Sequence, residues 1–153
     1  MKRIEVKLSL PVVAPLLDVV KDLADGLRKN LAAPNQLTDL DRDFHDAWVA
    51  ELISSQNDDL QTLLALFDEE FFSEGVVAFD ETNAEAIVRA CAAIRLRLRE
   101  RFLKPLDDEA LESGDLDLEQ LDEPLRKAFM CYLFLATVQE LIIQHLDETI
   151  LGT

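Results

Sequence analysis

The chain has 153 residues, enough for one domain with a sizeable core and no need of a disulfide or metal staple. Hydrophobic residues make up 49% of it, which excludes disorder for most of its length. Its 31 acidic side chains face 15 lysines and arginines, a net charge of −16, so most of the surface should repel nucleic acid and anionic membranes and favour solubility and basic partners.

The opening Met1-Lys2-Arg3 has the charge of a signal-peptide start, but no apolar core of the required length follows. Residues 3–9 instead alternate, with Ile4, Val6 and Leu8 on one side and Glu5 and Lys7 on the other, the period of a half-buried strand. Pro11 suits the first turn of a helix over 11–31 that carries Leu16, Val20, Leu23, Leu27 and Leu31 on one face. Thr38 or Asp39 caps a second helix with Phe44, Trp48 and Leu52 at four-residue spacing. The polar run Ser54-Ser55-Gln56-Asn57 favours a break there. A third helix then places Leu60, Leu63, Leu64, Phe67 and Phe71 inward. Gly75 turns the chain into a short strand over 76–79, which should pair with residues 4–8 because a lone strand leaves its backbone groups unsatisfied.

Thr82 and Glu85 have the spacing of a capping box before a fourth helix that ends at Lys104, stopped by Pro105. Its inward stripe is Ile87, Cys91, Ile94, Leu98 and Phe102. Residues 106–123 hold nine acids, no lysine or arginine, and Gly114, which reads as an acidic loop with at most one helical turn. Asp122 or Glu123 then caps a last helix, apolar nearly all round over 128–143, which should lie at the centre. Its longest apolar run, 128–138, falls short of a bilayer span. The expected architecture is mainly α: a single domain over 1–153, a bundle of about five helices around the C-terminal one, with a short two-stranded ribbon. With no visible address, the expected location is the cytoplasm.

Charge is segregated along this plan. Residues 43–88 contain twelve acids and no lysine or arginine, whereas 89–104 hold six of the 15 cations. The fourth helix is thus a basic rod, either paired internally with acidic neighbours or exposing Arg97 and Arg101 to an anionic ligand or acidic peptide. Arg95 and Glu140 interrupt otherwise apolar surroundings, and a charge so placed needs a partner. Arg95 is expected to pair across two helices with Glu140 or with Gln139. Phe71 and Phe72 are adjacent on one helix and cannot face the same core, so Phe72 lies under the ribbon or is exposed as a contact residue.

Reactive constellations are not visible. His45 and His145 each lack a second His or Cys at helical spacing, and no Glu-x-x-His occurs. Asp39, Asp41 and Asp43 have the rhythm of a calcium loop but Phe44 replaces its glycine, and Asp115, Asp117 and Glu119 fail in the same way. The four glycines form no phosphate loop, and no nucleophile elbow occurs. Cys91 and Cys131 sit on apolar faces, as two buried thiols or a mutual disulfide. No catalytic, cofactor-binding or metal-binding residue is assigned and no cofactor is expected. The leading reading is a noncatalytic acidic helical module that binds a protein partner or itself, without nucleic acid or membrane. The other is a small-molecule or metal-binding protein with a site near Arg95 and Glu140.

Several segments carry a family resemblance: Gly75-Val76-Val77-Ala78-Phe79-Asp80-Glu81, Ala84-Glu85-Ala86, Ile94-Arg95-Leu96-Arg97-Leu98, Arg101-Phe102, Tyr132-Leu133 and Gln139-Glu140-Leu141, with Leu146. Over roughly residues 40–146 the chain resembles a bacterial family of unknown function, DUF2017, whose members carry a Leu-Arg-Leu helix and a late Leu-Gln-Glu segment. Ala93 and Arg99 depart from its frequent Asp and Gly. The resemblance implies no assigned activity, cofactor or catalytic residue. It does imply a link to the adaptor that delivers substrates to the Clp protease, near which members are often encoded.

Overall fold

The computed structural model describes residues 3–31, 42–114 and 117–150, with the backbone alone at 42, 43, 45 and 147–150. The elements in chain order are β1 (Arg3–Lys7), α1 (Leu10–Gly26), α2 (Arg42–Leu64), α3 (Glu69–Glu74), β2 (Val76–Asp80), α4 (Ala84–Arg101), α5 (Asp108–Ser113), a 3-10 turn (Leu118–Gln120) and α6 (Glu123–Ile150).

The strands pair antiparallel with Ile4 opposite Phe79 and Val6 opposite Val77. That register puts Ile4 and Val6 on the same face as Val77 and Phe79, which are buried. Around this ribbon, α4 and α6 make the most extensive packing in the molecule, α2 lies along α4, and α1 closes against both α6 and α4. The core runs continuously through Leu16, Val20, Leu63, Phe71, Ile87 and Phe129. On α6 it takes in Ala128, Cys131, Leu135, Val138 and Ile142, spaced three or four apart. The span Glu123–Leu146 also has the length and composition of a membrane-crossing helix. This corrects the expectation drawn from the shorter uninterrupted run, because Thr137, Gln139 and Glu140 dilute the span without breaking it. The same helix supplies the core stripe just described.

Three expected boundaries move, each for a physical reason. Helix α1 stops at Gly26, and α2 runs unbroken through residues 54–57. The two corrections share a cause. Gln56 Nε2 donates to the carbonyls of Leu27 (2.8 Å) and Asn30 (2.9 Å), and Asn57 Nδ2 donates to that of Arg28 (3.1 Å). These amides satisfy the end of α1 instead of competing with their own helix. The real break comes at residues 65–68, where the Asp68 carboxylate accepts from the Phe71 amide and starts α3.

The Thr82–Glu85 capping box does not form. Asp80 Oδ1 instead accepts from the Thr82 hydroxyl (2.5 Å) and from the amides of Thr82 (2.8 Å) and Asn83 (3.1 Å). The Thr82 hydroxyl bond is the chief reason the Asp80 carboxyl is held below its usual value, against the opposing effect of burial, with the two amides and Arg3 adding to the lowering. Asn83 Oδ1 accepts in return from the Asp80 amide, so the turn from β2 into α4 is closed by Asp80 and Asn83. Helix α4 ends at Arg101, three residues short of Lys104, and Phe102 is exposed where an inward position was expected. Leu103 fills the core there instead. The acidic segment 106–123 is more structured than a loop. Asp107 caps α5 through the Ala110 amide, Leu111 is buried, and Gly114 closes the helix in the left-handed conformation. Asp122 caps α6 through the Leu125 amide.

Candidate protein-interaction groove

Helix α2 presents Phe44, Trp48 and Leu52 four residues apart, a stripe that in an ordinary surface helix would face the core. Here Phe44 is 57% and Trp48 40% exposed, whereas the residues of α2 that face α4, Leu52, Gln56 and Asp59, lie further along the helix. On α4 the series Arg89, Ala92, Leu96 continues three or four apart beside it, and Leu96 is 44% exposed. Between the two helices lies an apolar groove of about 450 Å³, floored by Leu52, Ala92, Ala93 and Leu96 with Leu31 at one side. Alanines on α4 create the room, since their short side chains leave Leu52 and Leu96 without neighbours above them. Arg89 closes one end by a two-pronged bond to Asp59, Nε to Oδ2 at 2.9 Å and Nη2 to Oδ1 at 3.0 Å. That bond is the main reason the guanidinium is raised above its ordinary value, with the charges of Asp59 and Glu85 adding to it against a partial loss of solvent.

The basic rod is largely turned to internal use. Besides Arg89, Arg99 pairs with Asp108 of α5, and Arg97 donates to the Leu31 carbonyl (3.2 Å) and contacts Glu100 (3.6 Å). Arg101 lies over the Phe102 ring at 5.9 Å. Arg95 Nη1 donates to Gln139 Oε1 at 2.5 Å and its guanidinium sits 4.4 Å above the Tyr132 ring. Gln139 in turn donates to the Val88 carbonyl at 2.9 Å, so one amide ties α6 to α4 at two points. Glu140 is exposed and accepts from Gln144, so of the two partners considered for Arg95 the geometry selects Gln139. Phe72 is 51% exposed and meets Phe71 edge-on at 5.1 Å, away from burial under the ribbon. The calcium-like residues Asp39 and Asp41, Asp115 of the acidic segment, and the side chains of Asp43, His45 and Glu148 lie outside the described residues. Among the described residues no cluster of three or more His, Cys, Asp or Glu is placed to hold a metal ion.

The groove was visible in the sequence only as a stripe on one helix, since nothing in residues 44–52 states that the stripe faces outward. With the geometry in hand, the DUF2017 family model, a domain of unknown function, matches residues 9–146. The chain belongs to that family. In this DUF2017 member the matched stretch begins at the Ser9 cap of α1 and ends at Leu146, the last buried residue described in α6. It therefore includes the groove and the Arg95–Gln139 contact and omits β1. No curated protein and no solved structure matches the chain.

The two cysteines of this family member are free and buried. Loss of solvent pushes both thiols up to about 12. The linkage has a definite sign. A thiol raised in the folded state contributes stability that is complete below the unfolded value and is lost as pH rises toward 12. Wild-type protein should therefore lose several kcal/mol more than a Cys91→Ala/Cys131→Ala variant between about pH 9 and 12, at roughly 1.36 kcal/mol per unit of pKa difference for each thiol. Urea titrations at stepped pH read this, and parallel curves for the two proteins would refute it. At pH 8 a disulfide reagent should titrate neither thiol in native protein and both after denaturation.

Proposed function

We propose that this domain works by protein contact, as a noncatalytic acidic module in the cytoplasm whose docking surface is the α2–α4 groove. The supporting observation is the apolar groove floored by Leu52, Ala92, Ala93 and the 44% exposed Leu96, together with Trp48 and Phe44, 40% and 57% exposed, one and two turns before Leu52 on the same helix. Scattered apolar residues on a surface need no explanation, but an exposed aromatic row in line with a concave apolar floor has the anatomy of an interface core. Tryptophan and phenylalanine are the anchors such a surface uses, since they bury much area at little cost in side-chain entropy. The charge of −16 keeps nucleic acid and anionic membranes away and draws basic partners. A place beside Clp-protease adaptors, which the family resemblance implies, is part of the same proposal.

The test is capture from the native host with wild-type protein and with a Trp48→Glu/Leu96→Glu variant. Both positions are exposed enough for the variant to keep the wild-type melting temperature within a few degrees. Partners retained by the wild type should be lost at least about tenfold with the variant. An unchanged partner set, or a stoichiometric metal or small molecule released on denaturing the purified protein, would overturn the reading in favour of a ligand-binding one.

A further inference from the structure

We propose that the outer edge of β1 pairs antiparallel with β1 of a second copy of this chain, about a two-fold axis at Val6, joining the two ribbons into one four-stranded sheet. This surface is separate from the α2–α4 groove and does not depend on it. Strand β1 offers an uncovered edge of hydrogen-bonding groups, and its charged residues complement a second copy of the same strand.

In an antiparallel pair, successive residues turn their backbone groups alternately toward the partner strand and away from it. The Leu8 amide donates to the Gly75 carbonyl directly opposite, at 2.7 Å, so Ile4, Val6 and Leu8 face β2 while Arg3, Glu5 and Lys7 face outward. On β2 the same alternation turns Ala78 and Asp80 away from β1. There the edge is closed by one side chain: Asn83 Nδ2 donates to the Ala78 carbonyl (3.3 Å) and Asn83 Oδ1 accepts from the Asp80 amide (2.9 Å). On β1 no group among the described residues bonds the outward backbone of Arg3, Glu5 or Lys7. Burial falls off in the same direction. Val77 and Phe79 are buried, whereas Ile4 and Val6, on the same face one strand further out, are half-buried. A strand added beyond β1 would cover them.

Charged residues usually defend such an edge. Here they alternate in sign, and the defence fails against a copy of itself. Outward groups must meet outward groups, so Glu5 can stand opposite Glu5, Lys7 or Arg3 of the other copy, or Lys7 opposite Lys7. The registers with Glu5 on Glu5 and Lys7 on Lys7 set like charges together. Glu5 on Arg3 uses a cation that already contacts Glu5 of its own strand at 3.5 Å, and engages little more than residues 3–5. Glu5 on Lys7 uses a cation that is exposed and has no carboxylate partner among the described residues. That register, centred on Val6, places Glu5 against Lys7 twice on the solvent face. On the core face it places Val6 against Val6 and Ile4 against Leu8, all apolar. Both faces are complementary to themselves, which is the requirement for an isologous dimer.

The experiment is sedimentation velocity of the full chain from micromolar to near-millimolar concentration, together with amide hydrogen exchange read residue by residue. Physiological salt is used, where a Debye length of roughly 8 Å screens the −16 charge of each copy but leaves ion pairs at contact largely intact. Wild type should be a monomer–dimer equilibrium. The amides of Ile4, Val6 and Leu8 should be protected at every concentration, while those of Glu5 and Lys7 should exchange at least about tenfold more slowly once dimer forms. Glu5→Lys and Lys7→Glu should each weaken association about tenfold, because each sets like charges opposite one another twice. Both side chains are exposed and both amides lie outside the β1–β2 ladder, so each variant should keep its melting temperature within a few degrees. An equimolar mixture of the two variants should restore wild-type association, since both contacts across the axis become attractive again. Rescue by mixing cannot arise from an effect within one chain. Leu96→Glu, in the groove, should leave association unchanged. A strict monomer at every concentration, or a dimer in which the Glu5 and Lys7 amides stay unprotected, would overturn the proposal. So would a dimer lost with Leu96→Glu but indifferent to the β1 variants, since its contact would lie in the groove.

Discussion

Gly75→Ala should lower stability by about 3 kcal/mol, and Gly114→Ala by about 1. Both glycines close short helices in the left-handed conformation, with φ of 75° and 69°. A side chain in that region costs roughly 1–2 kcal/mol at either position. The positions differ in what a Cβ would meet. At Gly114 it would touch a Leu133 methyl at 3.5 Å, an ordinary contact. At Gly75 it would stand 2.7 Å from the Leu8 carbonyl oxygen, which is backbone and cannot rotate away. Leu8 must then shift, straining its own 2.7 Å bond to the Gly75 carbonyl and with it the junction of β1 and β2. Thermal melts should show a drop of about 10 °C for Gly75→Ala and a few degrees for Gly114→Ala. Asparagine separates the two causes, because it tolerates the left-handed region yet has a Cβ. Gly114→Asn should recover most of the loss and Gly75→Asn very little. Equal recovery at both positions would mean that the collision with Leu8 carries no weight.

That junction shows what was legible in the sequence and what was not. The ribbon could be read because the first strand alternates, the second is a short β-branched and aromatic run, and Gly75 punctuates it, all of it local. The false break at residues 54–57 came from equally local evidence. Ser, Gln and Asn do favour turns, but Gln56 and Asn57 spend their amides on carbonyls 26 and 29 residues away, which no window of neighbours contains. The true break at Asp68 is preceded by Ala65-Leu66-Phe67, an apolar run that hides it. For Arg95 the sequence narrowed the partner to two adjacent residues. They differ by about 100° around α6, so one faces α4 and the other faces water, and only the rotation of the helix decides. The groove is the hardest case. A stripe at helical spacing states that a helix has an apolar face, and whether that face is covered depends on how long its neighbours are. The alanines of α4 are what leave it open.

Gln139→Leu should cost about 2 kcal/mol, more than removing the arginine it serves. Its carbonyl is the acceptor the structure gives the Arg95 guanidinium, and Arg95 Nε is already enclosed without a partner. Taking Gln139 away leaves a charge, partly shielded from water and stacked on Tyr132, with no acceptor at its end, and it also removes the donor to the Val88 carbonyl. An uncompensated charge of this kind costs 3–5 kcal/mol when fully buried, and the partial exposure of Arg95 brings the figure down. Arg95→Met keeps most of the apolar stem and removes the need for an acceptor, so it should cost about 1 kcal/mol or less. The double variant should then be more stable than Gln139→Leu alone, with a coupling of about 1–2 kcal/mol in the cycle measured by urea denaturation. Glu140→Gln, one residue along and facing solvent, should change stability by no more than about 0.5 kcal/mol. If Glu140→Gln proved as costly as Gln139→Leu, the helix would be rotated from the position described and the assignment of Gln139 would fail. If instead Arg95→Met cost more than Gln139→Leu, the guanidinium would be contributing through Tyr132 rather than through the amide.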